Sequence, residues 1–177
     1  AFKNLAEPLK DKNFLTFLYS TGTQYMIFTV MSVFLLLFFK VRLSLTSGQI
    51  IFLSALIPVG GAFGSLMTGW FVDRYGTRGI RITLQVCQVL LLLSFPFMTS
   101  ELSGVVFITA GLFAAFGFLT AGSITASNIY LLNYAPPANK EGYTALAYSV
   151  DGIFGGSATF GAGYLIFWLG QNPLIIS

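Results

Sequence analysis

From residue 14 to residue 39 the chain carries no charged side chain. A helix of about 20 apolar residues crosses the roughly 30 Å hydrocarbon core of a bilayer, so this run is long enough to span one. Comparable runs follow at about 50–72, 82–98, 104–132 and 143–169. In hydrocarbon the backbone has to satisfy its own hydrogen bonds, which makes helices the solution for runs of this kind. The expected fold is therefore an all-α integral membrane bundle of about five transmembrane helices. Pro58 is expected to bend the second of them, a defect that neighbouring helices can accommodate.

Composition supports the same reading. Charged residues make up 8% of the chain and hydrophobic residues 55%, whereas a soluble domain carries about 25% charged residues. The polar surface needed to stay dispersed in water is missing. The formal charge of +3 needs no nucleic-acid partner, because a few basic residues in cytoplasmic loops give the same balance. Cys87 is the one cysteine and histidine is absent, which excludes an internal disulfide, zinc sites of the His/Cys type and histidine acid-base chemistry. No nucleophile, base and metal cluster coincide at depth and no phosphate-binding glycine loop occurs. Neither an enzyme nor a bound cofactor is expected.

Charge also sets the direction of insertion. With a cytoplasmic amino terminus, Lys3, Lys10, Lys12, Arg74, Arg78, Arg81 and Lys140 lie inside and only Lys40 and Arg42 outside. That asymmetry satisfies the positive-inside rule. Residues 1–13 then form a cytoplasmic linker, and residues 170–177 begin an extracellular loop. An odd number of spans, with a start that carries no secretory signal, leads to the expectation of a longer protein at both ends, with a further helix after Ser177.

Two kinds of position stand out within the spans. Gly60, Gly64 and Thr68 repeat every fourth residue and so put small groups on one helix face, where another helix can approach closely. Gly152, Gly155, Gly156, Gly161 and Gly163 are too many for a helix held by propensity alone, each costing up to about 1 kcal/mol; Gly152 and Gly156 are read as a second packing surface. Asp151 is the one ionisable side chain among Asp, Glu, Lys and Arg inside a span. At the bilayer centre a charge costs roughly 3 kcal/mol on insertion scales, so Asp151 must face the bundle, take up a proton or find a partner. It is a candidate proton site or contact for a cationic substrate. The competing reading is a shallow, hydrated carboxylate that caps a neighbouring backbone. Gln24, Tyr25 and Asn128 are uncharged polar groups at membrane depth; Gln24 and Tyr25 are the best placed to line a central cavity, Asn128 to lie near a gate. Phe34, Phe38 and Phe39 are expected to face lipid or neighbouring helices.

The loop after the second span reads Gly69-Trp-Phe-Val-Asp73-Arg74-Tyr-Gly76-Thr-Arg78. This resembles the signature Gly-x3-Asp-Arg-x-Gly-x-Arg of the major facilitator superfamily. Pro8 to Phe14 is similar to the entry of that family's seventh helix. Asn128 to Glu141, with Tyr143 and the glycines from Gly152 to Gly163, is similar to its tenth helix, the following loop and the eleventh helix. The resemblance implies helices seven to eleven of a two-half transporter, with helices one to five as the alternative because the halves are structural repeats. It implies a plasma-membrane secondary transporter of a small molecule, using a coupling proton or other ion and completed by the remaining half. In such proteins the loop aspartate meets the amino-terminal end of a helix in the opposite half, so Asp73 and Arg74 are expected to form a cytoplasmic gate. Gly79 and Ile80 interrupt the basic run that often follows, and Phe160-Gly161 stands where the antiporter motif has Gly-Pro, which weakens a drug-proton antiport assignment. A non-transporting scaffold or receptor of the same fold is the alternative function.

Overall fold

The computed structural model describes residues 7–41, 43, 45–98 and 104–171, and among them the secondary structure is entirely helical. Five long helices follow in order: α1 (Lys12–Val41), α2 (Ser47–Tyr75), α3 (Thr77–Ser94), α4 (Val105–Tyr134) and α5 (Lys140–Gln171). Short 3-10 turns at Pro8–Lys10, Phe95–Phe97 and Pro137–Asn139 each carry a proline near their start. Residues 99–103, between the third and fourth expected spans, and residues 172–177 of the expected extracellular loop lie outside the described residues.

The helix ends follow local chemistry more than hydropathy. α2 begins at Ser47, ahead of the apolar run that starts at about residue 50, because Thr46 and Gln49 form a reciprocal capping box. Gln49 Oε1 accepts from the Thr46 backbone N–H at 2.9 Å, and Thr46 Oγ1 accepts from the Gln49 N–H at 3.4 Å. Two orphan donors are satisfied at once. α2 continues through Pro58. α3 ends at Ser94, four residues before the apolar run does, where Phe95-Pro96-Phe97 tightens into a 3-10 turn. Among the described residues α2 and α4 are long and apolar enough to cross a membrane.

The chain divides into two compact units, 1–37 with 135–177, and 38–134. In the second unit the core is the crossing of α2 and α4. A methyl group added at Gly60 would lie 2.8 Å from the Ala114 carbonyl carbon, and one at Gly64 would lie 2.8 Å from that of Phe118. Reciprocally, a methyl at Gly117 would lie 2.8 Å from the Ile57 carbonyl carbon, and one at Gly122 would lie 2.6 Å from Thr68 Oγ1. The contacts advance by four residues along both helices in the same sense, so α2 and α4 run parallel. Gly60, Gly64 and Thr68 are all buried. α3 joins this pair through Leu84, Gln88 and Leu92, its buried stripe, and Gln88 Nε2 donates to Thr120 Oγ1 at 3.2 Å. Phe39 is fully buried, 5.7 Å from the Phe95 ring and 4.9 Å from the Phe113 ring. The side chains of Phe34 and Phe38 lie outside the described residues.

In the first unit α1 meets α5. Asp11 caps α1, its Oδ1 accepting from the backbone N–H groups of Asn13 at 3.0 Å and Phe14 at 3.2 Å. Asp11 also takes a side-chain hydrogen bond from Tyr143, whose ring lies 4.6 Å from that of the fully buried Phe14. Asn139 Nδ2 donates to Glu7 Oε2 at 2.8 Å. The segment ahead of α1 is thus held to the start of α5 by polar and aromatic contacts together. Further along, Gly22 faces the Phe154 ring, where a methyl would come within 2.9 Å.

A side chain at Gly64 has only backbone to push against, whereas Gly48 has open space. Gly64→Val is expected to destabilise by at least the 1–3 kcal/mol typical of overpacking, while Gly48→Ala is neutral or slightly stabilising. Thermal unfolding of the purified variants in detergent checks both.

Candidate functional site

Two places carry chemistry, one in each unit. The first is the joint between α2 and α3. Gly76 closes α2 and opens α3 at the same time, with φ 82° and ψ 156°. That backbone region is essentially restricted to glycine. Its N–H still reaches back to the Val72 carbonyl at 2.9 Å. Gly69, one turn above Val72, has nothing within 4 Å of an added methyl. The two glycines of the motif thus differ in kind.

Around this joint Asp73, Arg74 and Arg78 are exposed. The Arg74 guanidinium sits 5.8 Å from the Trp70 ring centre and 5.7 Å from that of Tyr75, a pair of cation–π contacts worth about 0.5–1 kcal/mol each at an exposed site. Both rings are themselves exposed, Trp70 to 58% and Tyr75 to 62%. Arg74 suits its position, since the carboxyl end of a helix favours a cation. Asp73 does not, because the same dipole disfavours an anion in the last turn of α2 by about 0.3–1 kcal/mol. Arg81, counted in the sequence among the cytoplasmic basic residues, is less exposed than Arg74 and Arg78. Its guanidinium is half-buried on α3, where burial draws its pKa down and Tyr130 of α4 opposes the shift. It stays protonated throughout the physiological range.

The second place is on the facing surfaces of α1 and α5. Asp151 is half-buried on α5. A side-chain hydrogen bond links it to Thr21 of α1, while its Oδ1 is buried with no hydrogen-bond partner among the described residues. Tyr25, one turn beyond Thr21 on α1, lies close enough to Asp151 and Tyr148 of α5 to interact with both, and Tyr148 lies one turn before Asp151 on α5. Two i, i+3/i+4 faces therefore meet, Thr21 with Tyr25 and Tyr148 with Asp151. A partly desolvated carboxylate with an open acceptor, set among a hydroxyl and two phenols, can hold a proton or a cation.

Of the residues singled out in the sequence, Tyr25 and Asp151 are brought together. Gln24 is half-buried beside Tyr25 on α1, and Asn128 is half-buried on α4 in the other unit. Gly60 and Gly64 lie at the α2–α4 crossing. Gly152 and Gly156 are exposed, with nothing within 4 Å of an added methyl. Sequence reasoning missed Thr21 and Tyr148. The available signal was spacing, four residues before Tyr25 and three before Asp151. Among the described residues no group of His, Cys, Asp and Glu is arranged to hold a metal ion.

Comparison with protein families matches residues 2–176 to the family model described as Major Facilitator Superfamily. Comparison with curated proteins and with solved structures gave no match.

The backbone at Gly76 supplies a direct test. Gly76→Ala is expected to cost about 1–3 kcal/mol, whereas Gly69→Ala, in open helical surroundings, should raise stability slightly. Paired melting curves in detergent separate the two, and equal effects would contradict the assigned conformation.

Proposed function

Because the chain belongs to the major facilitator superfamily, we propose that it serves as a secondary transporter, moving a small molecule across the plasma membrane by alternating access. It would act as a multi-pass protein of five spans in this segment, amino terminus inside, forming helices seven to eleven of a two-half transporter. The observation that carries the reading beyond family membership is Asp151. It is a carboxylate in the middle of a long apolar helix, half-buried, with Oδ1 open. Such a group is expensive in a membrane and is rarely kept without a task. Its task here is to bind and release the coupling proton, or another coupling cation, as the site is exposed to one side and then the other. Tyr25 and Gln24 line the same stretch of α1 and would contribute to the cavity wall, with Asn128 nearer the gate.

Asp73 fits the gate role for a related reason. It is an exposed anion at the wrong end of its own helix, and a local misfit of this kind is expected at functional positions. The amino-terminal end of a helix in the opposite half would stabilise it in one of the two access states. A scaffold or receptor that has kept the fold is the second reading, and it requires no task of Asp151.

The native gene product, reconstituted in liposomes loaded with a pH-sensitive dye, should report a pH change driven by one member of a panel of sugars, organic anions and amphiphilic cations. Asp151→Asn is expected to abolish that signal at unchanged expression. Undiminished transport in the variant would remove Asp151 from the mechanism, and silence of the native protein across the panel would favour the scaffold. For the gate, Asp73→Asn should raise the inward-facing population about two- to fivefold, the equivalent of a single helix-dipole contact. Thiol labelling from the cytoplasmic side measures the change.

A further inference from the structure

Thr21 is 97% buried, and its hydroxyl has partners on two helices. Oγ1 lies 3.1 Å from the Phe17 carbonyl oxygen and 3.1 Å from that of Leu18, both on its own helix. The same side chain hydrogen-bonds with Asp151 of α5. A hydroxyl has one proton to donate and lone pairs with which to accept. While that proton points at the backbone of α1, Thr21 can only accept from Asp151, and a carboxyl group donates only when it is protonated. When Asp151 is ionised, the hydroxyl must turn and donate to the carboxylate, leaving the Phe17 and Leu18 carbonyls.

We propose that Thr21 is a positioning residue that reads the protonation state of Asp151 and passes it to the backbone of α1. In the protonated state the chain of donors runs from Asp151 to Thr21 to the α1 carbonyls. On release, the carboxyl proton goes to water, and the Thr21 hydroxyl, keeping its own proton, turns its hydrogen bond from the α1 carbonyls to the Asp151 carboxylate. Back-bonding of a threonine to the preceding turn bends a helix slightly, so the two states differ in the local shape of α1 directly beside Gly22. Gly22 is the point where α1 rests on the Phe154 ring of α5, which gives the change a surface to act on. Among the described residues of this unit, the titratable groups around Asp151 are Tyr25 on α1 and Tyr148 on α5.

This inference rests on Asp151 being the group that takes up the coupling proton. The test uses the proton itself as the probe. Infrared difference spectra of the reconstituted native gene product are recorded across a pH titration, with Asp151→Asn identifying the carboxyl band of Asp151. Thr21→Val keeps the shape of the side chain and removes the hydroxyl; Thr21→Ser keeps the hydroxyl. Loss of a hydrogen bond donated to a charged group is expected to move the titration midpoint by about one to two units toward alkaline pH in Thr21→Val. Thr21→Ser should titrate like the native protein. An unmoved midpoint in Thr21→Val, or equal shifts in both variants, would overturn the role of Thr21 while leaving Asp151 as the proton site. The absence of any titrating band lost in Asp151→Asn would instead sink the coupling reading, and the role of Thr21 with it.

Discussion

The unit formed by residues 38–134 depends on one constraint, that the backbones of α2 and α4 touch. In lipid there is no hydrophobic gain from pressing two apolar helices together, since the tails around them are as apolar as leucine. What remains is dispersion between closely fitted surfaces and the polar contacts that closeness permits. Glycine at positions 60, 64 and 117 allows carbonyl groups of the facing helix to sit where side chains would otherwise stand. Everything else in the unit is arranged around that contact: Leu84 of α3 lies against Gly122, and Gln88 reaches Thr120.

Polar side chains within the helices obey a related economy. Thr16, Thr21, Thr29, Ser54, Thr83, Thr109, Thr144, Ser149 and Thr159 each donate to a carbonyl four residues earlier on their own helix. A hydroxyl within a helix thus meets its need without a second helix. Against that background, groups whose needs are not met locally stand out. The Asp151 carboxylate cannot donate to its own backbone when ionised, and its link runs across to α1 instead. In a chain so poor in charge, a self-satisfied threonine becomes part of a site only where, like Thr21, it also meets an outward-directed carboxylate.

Much of this was legible in the sequence. Charge-free runs gave the helices, because nothing but a helix suits such a run in hydrocarbon. The fourfold spacing of Gly60, Gly64 and Thr68 marked a packing face, because 3.6 residues per turn brings every fourth residue to the same side. Helix ends were harder. Hydropathy measures where lipid stops, whereas helices stop where hydrogen bonds do, so α2 begins at the Thr46 capping box and α3 begins directly at the motif glycine. The glycines of α5 show the opposite limit: composition cannot tell a glycine pressed against a neighbour from one in the open, and Gly152 and Gly156 are of the second sort. Thr21 was hidden because an isolated threonine in a helix is ordinary. Only the placement of Asp151 opposite it gives it meaning.

The joint at Gly76 has a consequence for how the protein meets proteases. Arg74 and Arg78 are exposed basic side chains in a charged turn, the sort of place where nicking usually concentrates. A protease, however, needs several consecutive residues drawn out into an extended strand, and here the irregular backbone is a single residue long, with helix on either side. Cleavage would require unwinding a full turn of α2 or α3, the latter pinned by Leu84 and Gln88. A site that looks inviting by side chain is therefore closed to trypsin by the shortness of its slack.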